Sequence, residues 1–131
     1  MEKINTEISI VSKPLSARVT RNSRLFKTII NAIKDKKGED IVSLDLKKIE
    51  ESVADFFIVC EGRSNIQINA IADNIIEQTR IECEEKPYHV EFGDKWTILD
   101  YVNVVVHIFV HEQRIFYNLE GLWEDAPFTK F

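Results

Sequence analysis

The chain predicts an α/β (α+β-like) fold: a single domain with a mixed, roughly five-stranded sheet flanked by about three helices. Three observations lead there. Apolar residues recur at helical spacing in three separate segments. Other segments alternate in the manner of strands, and one of them, Asp55 to Cys60, is almost wholly apolar, as a strand buried on both faces should be. The patterns follow one another as helix, strand, strand, helix, three strands, helix, which suits a mixed sheet with helices packed on it. With 131 residues, 44% hydrophobic and 30% charged, the chain can bury a real core.

Residues 1–21 hold scattered Ser, Thr and Lys with Pro14 and no clean period. They are expected to be a flexible basic tail, with the domain proper at 22–131. From Asn22 a helix begins, with Leu25, Phe26, Ile29, Ile30 and Ile33 on one face and Gly38 closing it. Ile41 to Leu46 alternates as a strand, and Asp55 to Cys60 follows. Ser64 with Gln67 forms a capping-box pattern. The helix it opens carries Ile68, Ile71, Ala72 and Ile75 as its buried stripe and ends near Arg80 to Glu82. Tyr88 to Phe92 is a short strand, and Gly93-Asp94 a turn. After His111, the spacing of Phe116, Leu119, Leu122 and Trp123 predicts a third helix, ending at Asp125-Ala126-Pro127.

Between these lies the most informative run, Trp96 to Val110, W-T-I-L-D-Y-V-N-V-V-V-H-I-F-V. An acid and an imidazole stand among aromatic and β-branched residues. Burying either without a partner costs about 1–3 kcal/mol. Folded as a hairpin turning at Val102-Asn103, the run sets Ile98 opposite His107 and Asp100 opposite Val105. One face then carries Leu99, Tyr101, Val104, Val106, Ile108 and Val110. The other carries Trp96, Ile98, Asp100, Val105, His107 and Phe109, with Asp100 and His107 as diagonal neighbours. That second face is either covered by a helix of the same chain, Asp100 and His107 satisfying each other, or it is a protein-binding surface with an aromatic anchor.

Charge is unevenly spread. Residues 1–37 hold nine Lys/Arg and three Asp/Glu, and the remainder eight and nineteen, giving a net charge of −5. An acidic body argues against nucleic acid as the main partner and favours a basic one. No apolar run approaches the roughly 18 residues of a membrane span. The start lacks a signal-peptide core, and Cys60 and Cys83 form neither a CxxC motif nor a disulfide framework, so a cytoplasmic protein is expected.

The case for catalysis is weak. Gly62-Arg63-Ser64 could cradle a phosphate, but the Walker spacing is absent and a capping Ser64 explains it. His107 and His111 would stand about 13 Å apart at a rise of roughly 3.3 Å per residue, too far for one metal, and His89 adds no third ligand. A Ser64–His107–Asp100 triad lacks any nucleophile elbow. No enzyme activity, catalytic residue, cofactor or metal is expected.

Three blocks carry a family resemblance: A-D-F-F-I-V-C-E-G-R-S-N-I-Q-I-N-A-I-A-D (54–73), W-T-I-L-D-Y-V-N-V-V-V-H-I-F (96–109) and F-Y-N-L-E-G-L-W (116–123). In collinear order over about residues 22–125, they resemble the ribosomal silencing factor family, RsfS or Iojap. The resemblance implies a non-enzymatic translation repressor. It would bind the large ribosomal subunit, mainly through protein L-fourteen, and block small-subunit joining when nutrients are short. It also implies a fold similar to the nucleotidyltransferases, with Gly62 and Ser64 near that superfamily's Gly-Ser pair but its D-x-D missing. By match to the family's strand block, joined with the face analysis, the expected partner-binding residues are Trp96, Ile98, Leu99, Asp100, Tyr101, His107 and Phe109. Leu99 and Tyr101 fall on the core side of the hairpin. Where the family has D-Y-G-D, this chain has Asp100-Tyr101-Val102-Asn103. Either Asn103 then takes a positive φ, or the turn shifts by one residue and exchanges the faces of the second strand. The remaining expectations are a peripheral contact with ribosomal RNA and a homodimer formed through the same apolar face. The alternatives are a catalytically active or relic nucleotide-binding transferase, or a ribosome-assembly adaptor.

Overall fold

The apolar run that begins at Phe56 becomes the middle of a six-stranded sheet. A computed structural model of the chain describes residues 23–49, 52 and 54–131; the expected basic tail lies outside them. In chain order the elements are α1 (Arg24–Asp35), β1 (Glu39–Asp45), β2 (Phe56–Gly62), α2 (Asn65–Cys83), β3 (His89–Glu91), β4 (Trp96–Asp100), β5 (Val104–Val110), α3 (His111–Tyr117), α4 (Leu119–Leu122) and β6 (Phe128–Lys130). The strands lie in the order β3-β4-β5-β2-β1-β6. Every neighbouring pair is antiparallel except β2 and β5, which run parallel at the centre.

Both long helices cover one face. The stripe Leu25, Phe26, Ile29, Ile30 and Ile33 of α1 joins Ile68, Ile71, Ala72 and Ile75 of α2 over Phe56, Ile58, Cys60, Leu99, Val104, Val106 and Ile108 in the main core. Burial pushes the Cys60 thiol up to about 12, so it serves as a small apolar filler. Gly38 does close α1, but Lys37 takes the left-handed position, at φ 65°. The Gly38 N–H donates back to the Ile33 carbonyl and that of Lys37 to Lys34, a Schellman closure. Gly38 is required because a Cβ there would sit 2.3 Å from Ile33 Cγ2. Ser64 caps α2 as its sequence predicts, accepting from the Gln67 N–H at 3.1 Å. The reciprocal contact falls one residue earlier than in a standard box: Gln67 Oε1 accepts from the Arg63 N–H at 2.7 Å.

The hairpin keeps the expected register, with Ile98 opposite His107 and Asp100 opposite Val105. Neither expected turn adjustment occurs. Val102 itself adopts φ 73°. The Asn103 N–H donates to the Tyr101 carbonyl at 2.9 Å, closing a three-residue γ-turn around Val102.

Two differences from the sequence reading lie at the C-terminal side. The single third helix is two short ones, broken where Asn118 takes φ 48°. β6 is a sixth strand, too short for alternation to reveal, paired to β1 through Leu44 and Phe128. It helps enclose a small second core on the other face of the sheet, where Val42, Leu44, Leu46 and Ala126 pack with Ile49, Phe57 and Trp123.

Candidate partner-binding site

The face of the sheet away from α1 and α2 is where polar residues enter the apolar run. Strand alternation places Trp96, Ile98 and Asp100 of β4 there, with Val105, His107 and Phe109 of β5 and Phe57, Val59 and Glu61 of β2. The two short helices cover one end of this face and leave the hairpin end open.

Of the seven residues expected to meet a partner, Trp96, Ile98 and Asp100 are half-buried and reach the surface. Leu99 is fully buried beneath the helices, and Tyr101 is nearly so, its hydroxyl 2.7 Å from Thr79 Oγ1. Burial pushes the Tyr101 phenol up to about 12, against the opposing pull of the Thr79 hydrogen bond. Phe109 is fully buried, and His107 is only 6% exposed. These four are thus buried, where a partner-binding role expects exposure.

The expected pairing of Asp100 with His107 does not occur. Asp100 Oδ1 accepts from the Val102 N–H at 2.7 Å and holds the turn. His107 Nδ1 accepts from Trp96 Nε1–H at 3.2 Å. An indole nitrogen can only donate, so Nδ1 carries the lone pair and the proton sits on Nε2. Among the described residues, Nε2 is the one buried side-chain nitrogen or oxygen without a hydrogen-bond partner. Desolvation lowers the His107 pKa to about 4, so the ring is neutral.

Around this pair the side chains form an aromatic strip. Trp96 stacks on Phe109 with ring centroids 4.8 Å apart and meets Tyr117 of α3 at 4.8 Å. Phe116 lies edge-on to Tyr117 at 5.0 Å. Phe57 bridges His107 and Trp123, at 4.6 and 5.9 Å. Beside this strip along the chain, Ile115, Phe116 and Leu122 are 63%, 76% and 73% exposed.

What holds α3 and α4 in this position is a charge cluster that sequence reading missed. Arg114, buried in α3, donates from Nη2 and Nε to the two carboxylate oxygens of Glu120 at 2.8 and 3.2 Å. Its Nη1 donates to Glu61 Oε2 at 3.2 Å and to the Asp40 carbonyl at 2.7 Å. The bulge in β1, with Asp40 at φ 50°, aims that carbonyl. His111 Nδ1 lies 3.0 Å from the other Glu61 oxygen. Glu61 at the end of an apolar strand was the available signal, of the same kind as Asp100 and His107. The N-L-E-G segment has its own logic. Asn118 accepts from the Gly121 N–H at 3.2 Å, and a Cβ on Gly121 would lie 2.2 Å from Asn118 Nδ2.

The Gly62-Arg63-Ser64 turn makes contacts of its own within the chain. Its Arg63 N–H and the Gln67 N–H are bonded within the protein, and the Arg63 guanidinium pairs with Glu39 at 2.8 Å. The described residues contain no group of three or more His, Cys, Asp or Glu that could hold a metal, and no helix long and apolar enough to cross a membrane.

Fold and site together define an α+β domain whose two long helices cover one sheet face while the other carries an aromatic, partly solvent-exposed strip. A family profile described as "Ribosomal silencing factor during starvation" matches residues 19–130. The chain belongs to that family. It is 40% identical over 114 residues to Ribosomal silencing factor RsfS of Halalkalibacterium halodurans, covering 81% of this chain and 91% of that one. To the protein of the same name in Bacillus subtilis it is 39% identical over 104 residues, covering 79% and 87%. A crystal structure of a Bacillus halodurans protein superposes with a TM-score of 0.71 at 36% identity, covering 84% of this chain and 100% of that one.

Proposed function

We propose that this protein represses translation in the cytoplasm by occupying the large ribosomal subunit, mainly at protein L-fourteen, where the small subunit would join. The observation that carries this reading is the aromatic strip from Trp96 through Tyr117 to Phe116, with Ile115 and Leu122 also exposed in the same stretch of chain. Large aromatic anchors on a surface of this kind supply most of the binding energy in protein interfaces. Glu112, Glu124 and Asp125 lie in the same stretch of chain as the exposed apolar residues, and residues 38–131 are acidic overall. This charge suits a basic ribosomal protein and speeds encounter with it. Phosphate of ribosomal RNA would lie near the rim, so affinity should change with salt.

Sedimentation tests the reading. Added protein should co-sediment with isolated large subunits and shift joined ribosomes toward free subunits. Failure to co-sediment would sink it. Co-sedimentation without any effect on joining would favour a subunit-assembly adaptor.

A further inference from the structure

We propose that His107 is the positioning residue of Trp96: its Nδ1 accepts the indole N–H and thereby fixes the edge of the ring offered to a partner. This rests on the reading of Trp96 as an anchor of the partner surface.

The imidazole is an expensive choice at its position. Its opposite neighbour is Ile98, and its parallel neighbour on β2 is Val59. A β-branched or aromatic residue would fit the same strand without leaving Nε2 unpartnered. No carboxylate compensates, because Asp100 is turned to the Val102 N–H and Glu61 is bound to Arg114 and His111. The other contacts of His107 are rings, Phe57 at 4.6 Å and Phe109 at 6.2 Å. The one polar contact it makes is with Trp96.

That contact does something stacking cannot. Phe109 and Tyr117 flank the indole at 4.8 Å each, with interplanar angles of 28° and 46°. Ring contacts of this sort hold the plane of an indole but distinguish poorly between the ring and its half-turn flip about the Cβ–Cγ axis. The Nε1–H···Nδ1 bond does distinguish them. It spends the one polar atom of the indole inside the protein, so the part left for a partner is hydrocarbon. The matching partner group is then apolar, and an acceptor placed against Trp96 would gain nothing.

The experiment uses His107→Phe, His107→Asn and His107→Gln in the full chain. It reads the indole N–H resonance of Trp96, assigned with Trp96→Phe, and the affinity for purified large subunits. Asn can place its amide oxygen where Nδ1 stood, whereas Gln reaches toward Nε2. His107→Phe and His107→Gln should shift the resonance, speed its exchange with water and weaken binding about five- to tenfold, the net loss of one hydrogen bond. His107→Asn should recover most of both. If His107→Phe fails to fold, the Asn and Gln variants make the same comparison. In a Trp96→Ala background, His107→Phe should weaken binding no further. An unmoved resonance, or unchanged affinity in His107→Phe while Trp96→Ala weakens binding, overturns the positioning role. Unchanged affinity in Trp96→Ala overturns the anchor reading itself, and the positioning role in binding with it.

Discussion

At the scale of single residues, Val102 and His107 both sit where their type is expensive. Val102 is 50% exposed at the tip of the hairpin with φ 73°, a region a β-branched side chain rarely enters. Val102→Gly should relieve that strain. Allowing for the extra freedom of glycine in the unfolded chain, unfolding in urea should show a gain of about 1 kcal/mol. His107 makes stability depend on pH in a defined direction. Its folded-state pKa is about 4, against an ordinary 6.5. Between those values the unfolded chain binds a proton that the native state refuses. Stability is therefore lost as pH falls from about 6.5 toward 4, by up to about 1.4 kcal/mol per pH unit, with no further loss from this group below about pH 4. Thermal melts at pH 7 and pH 5 should show a larger drop for the natural protein than for His107→Phe, which lacks the titrating ring.

At the scale of elements, the charge cluster decides where α3 and α4 sit. Arg114 neutralises Glu61 and Glu120, both of which would otherwise be held near the sheet without a cation. Arg114→Ala should cost about 3 kcal/mol, since Glu61 is left buried with only the exposed His111 ring beside it. Hydrogen exchange should accelerate in α3 and α4 before it does in α2. Gly121→Ala should cost about 1 kcal/mol, because the new methyl displaces the Asn118 side chain from its cap. The helices α1 and α2, the central strand and the hairpin register were all legible in the chain. Long apolar stripes and a two-residue turn leave few alternatives. What escaped was local and non-periodic. Asn118 splits a helix through its own backbone conformation, and β6 is held by pairing to a strand far away in sequence. The site was legible only in part. Alternation sorted the faces correctly, but burial on the second face depends on α3, α4 and Phe57, which no strand pattern reveals. His107 and Phe109 therefore lie beneath the surface that Trp96 helps to form.

For the whole molecule, one sheet face is covered by the two long helices and the other is partly open, so the proposed partner surface lies on a single side. Trp96→Ala should weaken large-subunit binding by about 2 kcal/mol while the fold persists, read by co-sedimentation and by circular dichroism. Phe116→Ala should weaken binding with stability almost unchanged, since that ring is 76% exposed. Light scattering should show whether the same strip supports a homodimer and whether large subunits compete with it. The pairing of β1 with β6 also governs how the chain acquires its shape during synthesis. Leu44 on β1 must wait for Phe128, and Val42 for Lys130. At synthesis rates of about 5–20 residues per second, that wait is on the order of ten seconds. Until then, Val42, Leu44 and Leu46 have neither their edge strand nor the cover of Trp123 and Ala126. The helix-covered core needs Val106 and Ile108, which follow Leu44 almost as late as Phe128 does, so for most of that wait both faces of β1 stand uncovered, the interval in which a chaperone would have most to hold.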